Sequence, residues 1–243
     1  MSDFIEAGTC SADSCAIDAS PRESDASAKK TNTLSIEIVS DAICPWCYVA
    51  KRQFERAVAK LPNDVKLSVH WRPFELNPNM PPEGLDRVAY RSRKFGSWEH
   101  SLRLDAQLTA AASQAGLTMR HDLMKRTPNT FNAHRLIWLA EKEGVQDAVV
   151  EGLFSAYFVE GRDVGDAKVL AEVAAAAGID KTRVESFLAS SEGAEEISEA
   201  EVASQRSGLN GVPTFIINGQ PAFSGALRAE LMLAHLIKAA GLS

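Results

Sequence analysis

The period of the apolar positions changes several times along the chain. Leu34-Ser35-Ile36-Glu37-Ile38-Val39-Ser40 is a short β-branched run bounded by polar residues, which predicts a strand over Leu34–Ser40. From Cys44 the spacing turns to threes and fours. Cys47, Ala50, Phe54, Ala57, Val58 and Leu61 fall on one helical face, and Pro62-Asn63-Asp64 ends it. Val65, Leu67 and Val69 then alternate with Lys66, Ser68 and His70, a second strand reaching Trp71. Arg72 to Pro82 holds four prolines and reads as an irregular crossing segment. From about Leu85 to Ser207 the pattern is helical, with no convincing strand run. Thr127 before Pro128 suits an N-cap followed by proline at the first helical position, opening a helix through Ala133, Ile137 and Ala140. Gly161, Gly178 and Gly208 mark helix ends. Strand chemistry returns at Pro213–Ile217, turns at Asn218-Gly219, and resumes over Gln220–Ser224 before a last helix from about Leu227 to Ala240.

Residues 1–33 are rich in Ser, Ala, Asp and Glu without either period and are expected to form a flexible N-terminal tail. The remaining order is β-α-β, a long helical run, a β-hairpin and a helix. That is one α/β unit interrupted by a helical insertion: residues 34–76 and 208–243 make the unit, and residues 77–207 the inserted all-helical domain.

Composition narrows the class. With 243 residues, 45% of them hydrophobic and 24% charged, the chain resembles an ordinary globular protein. No run approaches the ~18 to 20 apolar residues of a membrane span, and the start lacks a secretory leader pattern. A cytoplasmic protein without membrane attachment is expected. The net charge of −6 disfavours nucleic acid as a partner. The one basic cluster, Arg87, Arg91, Arg93 and Lys94, reads as a solvated helix face.

The four cysteines all lie within the first 47 residues, as the pairs Cys10/Cys15 and Cys44/Cys47. Two close pairs in an unexported chain point to redox chemistry or metal rather than to structural crosslinks. For Cys44-Pro45-Trp46-Cys47 the surroundings decide. Cys44 stands where a strand gives way to a helix, so free N–H groups and the helix dipole stabilise its thiolate and make it the nucleophile. Cys47, one turn along on the buried face, is shielded yet close enough to resolve a mixed disulfide at Cys44. Pro45 suits the first helical turn, and Trp46 offers substrate an apolar face. A zinc site would need a second ligand pair. His70, His100, His121, His134 and His235 are scattered singly, so no metal is expected.

The sequence resembles the DsbA-type branch of the thioredoxin superfamily, specifically its FrnE-like subgroup. The resemblance rests on Ser40-Asp41-Ala42-Ile43-Cys44-Pro45-Trp46-Cys47-Tyr48, Trp71-Arg72-Pro73-Phe74-Glu75-Leu76-Asn77-Pro78, Pro128-Asn129-Thr130 with Ala133-His134-Arg135, Tyr157–Asp163, and Gly211-Val212-Pro213-Thr214-Phe215. It covers about residue 34 to the end and implies a thioredoxin fold with an inserted helical domain. It also implies a protein disulfide oxidoreductase or isomerase that carries a redox-active disulfide and no other cofactor. Partners would be protein or small-molecule thiols and disulfides, with glutathione or a thioredoxin-type protein as candidate reductant. In the superfamily a cis-proline faces the active-site disulfide, and the residue before it pairs with substrate backbone; Pro213 and Val212 hold the matching positions. Related proteins place a buried carboxylate on the strand before the motif. Glu37 is the first candidate here and Asp41 the second.

The helical insertion is expected to form a substrate groove. Asn129, Phe131 and His134 share a helix turn and are its candidate lining. Cys10 and Cys15 are a candidate second redox pair, although the resemblance places such a C-x4-C pair at the C-terminal end. Two other readings compete. One is a glutathione-dependent isomerase or transferase of the kappa-class or hydroxychromene carboxylate isomerase type, which typically has Ser in place of Cys44 and no resolving thiol. The other is a chaperone-like binding module.

Overall fold

The computed structural model describes residues 32–242. The expected tail and Cys10 and Cys15 lie outside the described residues, apart from Asn32 and Thr33, which belong to the first strand. The chain runs β1 (Asn32–Ser40), α1 (Pro45–Val58), β2 (Val65–Pro73), β3 (Leu85–Asp86), α2 (Arg87–Phe95), α3 (Trp98–Gln114) and β4 (Arg126–Thr127). It continues through α4 (Phe131–Lys142), α5 (Gln146–Phe154), a π-helical turn at Ser155–Val159, α6 (Ala167–Ala176), α7 (Lys181–Leu188) and α8 (Ala194–Arg206). A hairpin of β5 (Thr214–Ile217) and β6 (Gln220–Ser224), then α9 (Ala229–Ala239), complete it.

The main sheet has the order β2-β1-β5-β6. β1 and β2 run parallel, with Asn32 opposite Val65 and Ile38 opposite Trp71, while β5 is antiparallel to both β1 and β6. The ladder starts two residues before the expected boundary, with Asn32 and Thr33 pairing with Val65 and Lys66. Leu34, Ile36 and Ile38 are buried on one face of β1, and Phe215, the partner of Ile38, meets Phe54 of α1 with ring centroids 5.7 Å apart. α1 and α9 therefore cover that face together. Alternation sends Glu37 to the opposite face. The turn residues Asn218 and Gly219 both have positive φ, 51° and 74°, as a tight hairpin turn requires.

Two expectations for the insertion change. β3 and β4 pair as a two-residue ladder, Leu85 with Thr127 and Asp86 with Arg126, inside the segment read as wholly helical. Thr127 is thus a strand residue, and the helix starts later, at Phe131, whose N–H donates to the Asn129 side-chain oxygen at 3.0 Å. The insertion also closes the edge of the sheet. Gln146 accepts from the Trp71 N–H at 2.9 Å and donates to its carbonyl at 3.1 Å, standing in for a further strand.

Candidate active site

The turn between β1 and α1 delivers Cys44 to the helix start in an extended conformation, φ −86° and ψ 108°, with Pro45 behind it. The N–H groups of Cys47 and Tyr48 both donate to the Cys44 carbonyl, at 3.0 and 3.4 Å. Both cysteines are unbridged and buried. Opposite them the Val212–Pro213 peptide is cis, and Cys44 Sγ lies 3.6 Å from the Val212 carbonyl oxygen. Burial pushes the Cys47 thiol well up; the Cys44 thiol beside it and the Asp41 charge add to the shift, against a backbone hydrogen bond from Asp41. Cys47 therefore holds its proton until something takes it.

Of the two candidate acceptors, the structure brings Asp41 to the thiols and leaves Glu37 away from them. Asp41 is fully buried under the turn, where Oδ1 accepts from the Ile43 N–H at 3.2 Å and Oδ2 from the Leu76 N–H at 2.7 Å. Glu37, on the sheet face away from α1, is part-exposed and pairs with Arg72 at 3.6 Å, which in turn meets Glu141 of α4. The strand pattern that drew attention to Glu37 also fixes its face, and that face is not the one α1 covers.

A cavity of about 410 Å³ opens beside Cys44 and Trp46. Its lining departs from the groove expected from sequence. Asn129, Phe131 and His134 are absent from it: Asn129 instead donates to the Met80 carbonyl at 2.7 Å, Phe131 is half-buried, and His134 is buried at 1% exposure. The wall comes from α2 and α3 together with Tyr157, Phe158 and Val212. Trp46, 44% exposed, forms part of the rim. Arg87, Arg91 and Lys94, read from sequence as a solvated face, line this cavity, and Arg87 is buried at 4% exposure. Asp105 holds both guanidiniums, Arg87 at 2.6 Å and Arg91 at 2.7 Å, and Lys94 donates to the Tyr90 hydroxyl at 2.7 Å. The cavity lining thus carries three cations and one carboxylate. Burial, chiefly, lowers the pKa of His121, also on the wall, against the pull of Asp105.

Sequence reasoning missed Arg87, Arg91 and Asp105 because a charge repeat at helical spacing looks the same whether it meets water or a neighbouring helix. The π-helical turn that brings Tyr157 and Phe158 to the cavity ends at Gly161, φ 70°, against Leu123. A Cβ there would sit 2.4 Å from the Leu123 Cβ and 2.6 Å from its carbonyl carbon. Gly161→Ala is expected to cost at least ~2 kcal/mol, from the left-handed backbone and the clash together. Urea unfolding measures it, and an unchanged midpoint would show that the turn yields freely.

Also missed were Glu75 and Glu201, half-buried near His134. Burial and then the Glu201 charge push the Glu75 carboxyl up to about 8, against the His134 charge, and Glu201 is raised as well, again mainly by burial. The one sequence signal was a carboxylate flanked by Phe74 and Leu76. Because the folded state keeps a proton that the unfolded chain releases near 4.5, stability should fall as pH rises from about 4.5 to about 8 and then level off. Glu75→Gln should flatten that decline in denaturation curves taken across the range; an unchanged slope would mean Glu75 ionises freely.

A dithiol at a helix start, facing a strand-entry proline across a βαβ–ββα frame, defines a thioredoxin-like redox protein. Residues 35–237 match the DSBA-like thioredoxin domain, and the chain belongs to that family. It is 29% identical over 195 residues to YwbO, an uncharacterized protein of Bacillus subtilis (strain 168), covering 80% of this chain and 91% of that one. A probable DsbA oxidoreductase from Streptomyces coelicolor superposes with a TM-score of 0.77 at 33% identity, over 86% of this chain and 90% of that one. The cytosolic disulfide reductase DsbM from Pseudomonas aeruginosa, solved with GSH, shares the fold at a TM-score of 0.59 and 19% identity, over 86% of this chain and all of that one. Among the described residues no group of His, Cys, Asp and Glu side chains could hold a metal ion, and no helix is long and apolar enough to cross a membrane.

Proposed function

We propose that the protein is a thiol–disulfide oxidoreductase of reducing surroundings such as the cytoplasm, acting on disulfides as reductase or isomerase through Cys44 and Cys47. The observation that carries this reading is Cys44 on the cavity wall with its Sγ 3.6 Å from the Val212 carbonyl oxygen, and Cys47 buried one turn behind it. The Cys44 thiolate attacks a disulfide R–S–S–R′ in line, forming Cys44–S–S–R and expelling R′–S⁻. Cys47 then loses its proton to Asp41, its thiolate attacks Cys44 Sγ, and R–S⁻ leaves. Two electrons pass from the dithiol to the substrate, and the enzyme is left as the Cys44–Cys47 disulfide. Pro-Trp between the cysteines lacks the histidine that DsbA itself carries there, which favours the reducing direction.

The cavity suggests what restores the dithiol. Three cations against Asp105, next to the exposed face of Trp46, suit a small carboxylate-bearing thiol of glutathione type better than a folded thioredoxin, which would use the open rim and the Val212 backbone. The retained Cys47 argues against the kappa-class type of chemistry, which needs no resolving thiol. A binding module alone would gain nothing from a buried dithiol.

Titrating the full chain in glutathione redox buffers and mapping the alkylated cysteines tests the proposal. Cys44 and Cys47 should be lost together in one two-electron transition. Lys94→Glu should raise the KM for glutathione disulfide severalfold with kcat little changed, because it reverses a charge on the wall without touching either sulfur. If neither cysteine oxidises, or if Cys44 only accumulates a glutathione adduct while Cys47 stays free, the dithiol reading is wrong. The same titration of a Cys10→Ser, Cys15→Ser double variant asks whether that pair relays electrons; a match to wild type removes it from the mechanism.

A further inference from the structure

Four segments far apart in sequence bring ionisable side chains together beneath the start of α1. Asp41 comes from the β1–α1 turn, Glu75 from the segment after β2, His134 from α4 and Glu201 from α8. His134 Nε2 is 3.7 Å from Asp41 Oδ1, with the two side chains 1% and 0% exposed. Asp41 Oδ2 accepts from the Leu76 N–H at 2.7 Å, which ties it to the residue following Glu75. Three polar atoms in this cluster, Glu75 Oε1, Glu201 Oε1 and His134 Nε2, are buried without a hydrogen-bond partner. Two ionised carboxylates have no hydrogen to offer each other, and leaving such oxygens buried and unpaired is costly. One proton held between them supplies the missing donor.

We infer that Glu75 and Glu201 share a proton and, through His134 and Asp41, act as the proton store for Cys47. The inference rests on the dithiol reading and adds to it two positioning residues, Glu75 and Glu201, one contributed by the helical insertion. At neutral pH the pair carries one proton and has room for another. When Cys47 becomes a thiolate and attacks Cys44 Sγ, its proton passes to Asp41 and on through His134 to the Glu201 carboxylate. The Cys44–Cys47 bond forms, the Cys44–substrate bond breaks, and the leaving sulfur departs as thiolate. On re-reduction the proton returns. The charges support the direction of travel. Burial opposes a proton on His134, but Asp41, Glu201 and Glu75 outweigh it and raise its pKa, so the imidazole can carry the proton between carboxylates. The groups facing this cluster are then Asp41, His134, Glu75, Glu201 and the two thiols, with Cys47 the one that titrates during turnover.

The test follows the reaction with 5,5′-dithiobis(2-nitrobenzoate) in the full chain with Cys10→Ser and Cys15→Ser. Attack by Cys44 releases one thionitrobenzoate, and attack by Cys47 on the mixed disulfide releases a second, so the two waves separate nucleophile from resolving thiol. In Glu75→Gln, Glu201→Gln the second wave should slow about tenfold at pH 7 and become proportional to hydroxide from pH 6 to 9, while the first wave is unchanged. Glu75→Asp alone should recover most of the rate. The inference is overturned if the second wave keeps its pH profile in the double variant, or if both waves slow equally. Absence of a second wave in the parent chain is a different failure, that of the dithiol reading. Should the double variant not fold, infrared difference spectra of the oxidised and reduced parent chain decide. They should show a protonated carboxyl group that changes with redox state and loses intensity in Glu201→Gln, and no such band overturns the inference.

Discussion

Cys44→Ser is expected to lower disulfide exchange by about three orders of magnitude or more, the scale of removing a nucleophile from a group of residues that acts as a unit. A hydroxyl at the helix start ionises far above neutral pH, so the helix N-terminus has no anion to stabilise there. Cys47→Ser should behave in the opposite way. Cys44 still attacks, but nothing resolves the adduct, and a stable mixed disulfide accumulates at one equivalent per chain. Intact-mass measurement after mixing with glutathione disulfide, with both variants made in the Cys10→Ser, Cys15→Ser chain so that no other thiol reacts, reads both outcomes: no adduct in the first variant, a single glutathione adduct in the second. Equal residual turnover in the two variants would mean that the thiols do not divide the work between them. The division follows from position. Cys44 faces the cavity and the Val212 carbonyl, whereas Cys47, at 1% exposure, lies in the core beside Cys44 and Asp41.

The elements that carry these thiols were legible from sequence because each has a period of its own. β1 and β2 fall within two residues of where alternation places them, α1 starts as expected but ends at Val58 rather than at Leu61, and Asn218-Gly219 turns the hairpin as its residues demand. β3 and β4 were not legible, since two residues cannot show a period. The start of α4 was displaced because Asn129 and Thr127 are both good helix-capping residues and only the Leu85 ladder removes Thr127 from the choice. Side-chain direction was harder still. His134 and Arg91 are both polar residues on helices, yet one is enclosed under the active-site turn and the other lines the cavity. Lys51 makes the same point on α1: its side chain is 3% exposed, and its ammonium group is held by Glu55, Asp147 at 3.1 Å and Glu151 at 3.3 Å. A helix embedded between a sheet and an insertion buries more than one face, and a single apolar stripe in the sequence describes only the first.

Asp105→Ala should be among the most destabilising single substitutions in the chain, by ~3 to 5 kcal/mol, the range for breaking a buried ion pair by removing one partner. Asp105 is 5% exposed and accepts from two guanidiniums, of which Arg87 is 4% exposed. Without it, Arg87 and Arg91 lose the carboxylate that they share. Arg87 keeps the Trp98 ring at 5.5 Å, and Arg91 keeps the Phe95 ring at 4.8 Å and the Ser101 hydroxyl at 2.5 Å, but none of these neutralises a charge. Burial already lowers the pKa of Arg91 with the carboxylate present. Urea unfolding of Asp105→Ala against wild type measures the cost, and a loss below ~1 kcal/mol would mean that the pair behaves as a surface salt bridge. The variant that remains folded carries a second expectation. Its cavity wall has three cations and no carboxylate, so the KM for glutathione disulfide should fall while stability is lost, and added salt should weaken the gain in binding. Stability and affinity moving in opposite directions from one substitution would separate the two roles of Asp105: holding α2 to α3, and limiting the positive charge presented beside Cys44.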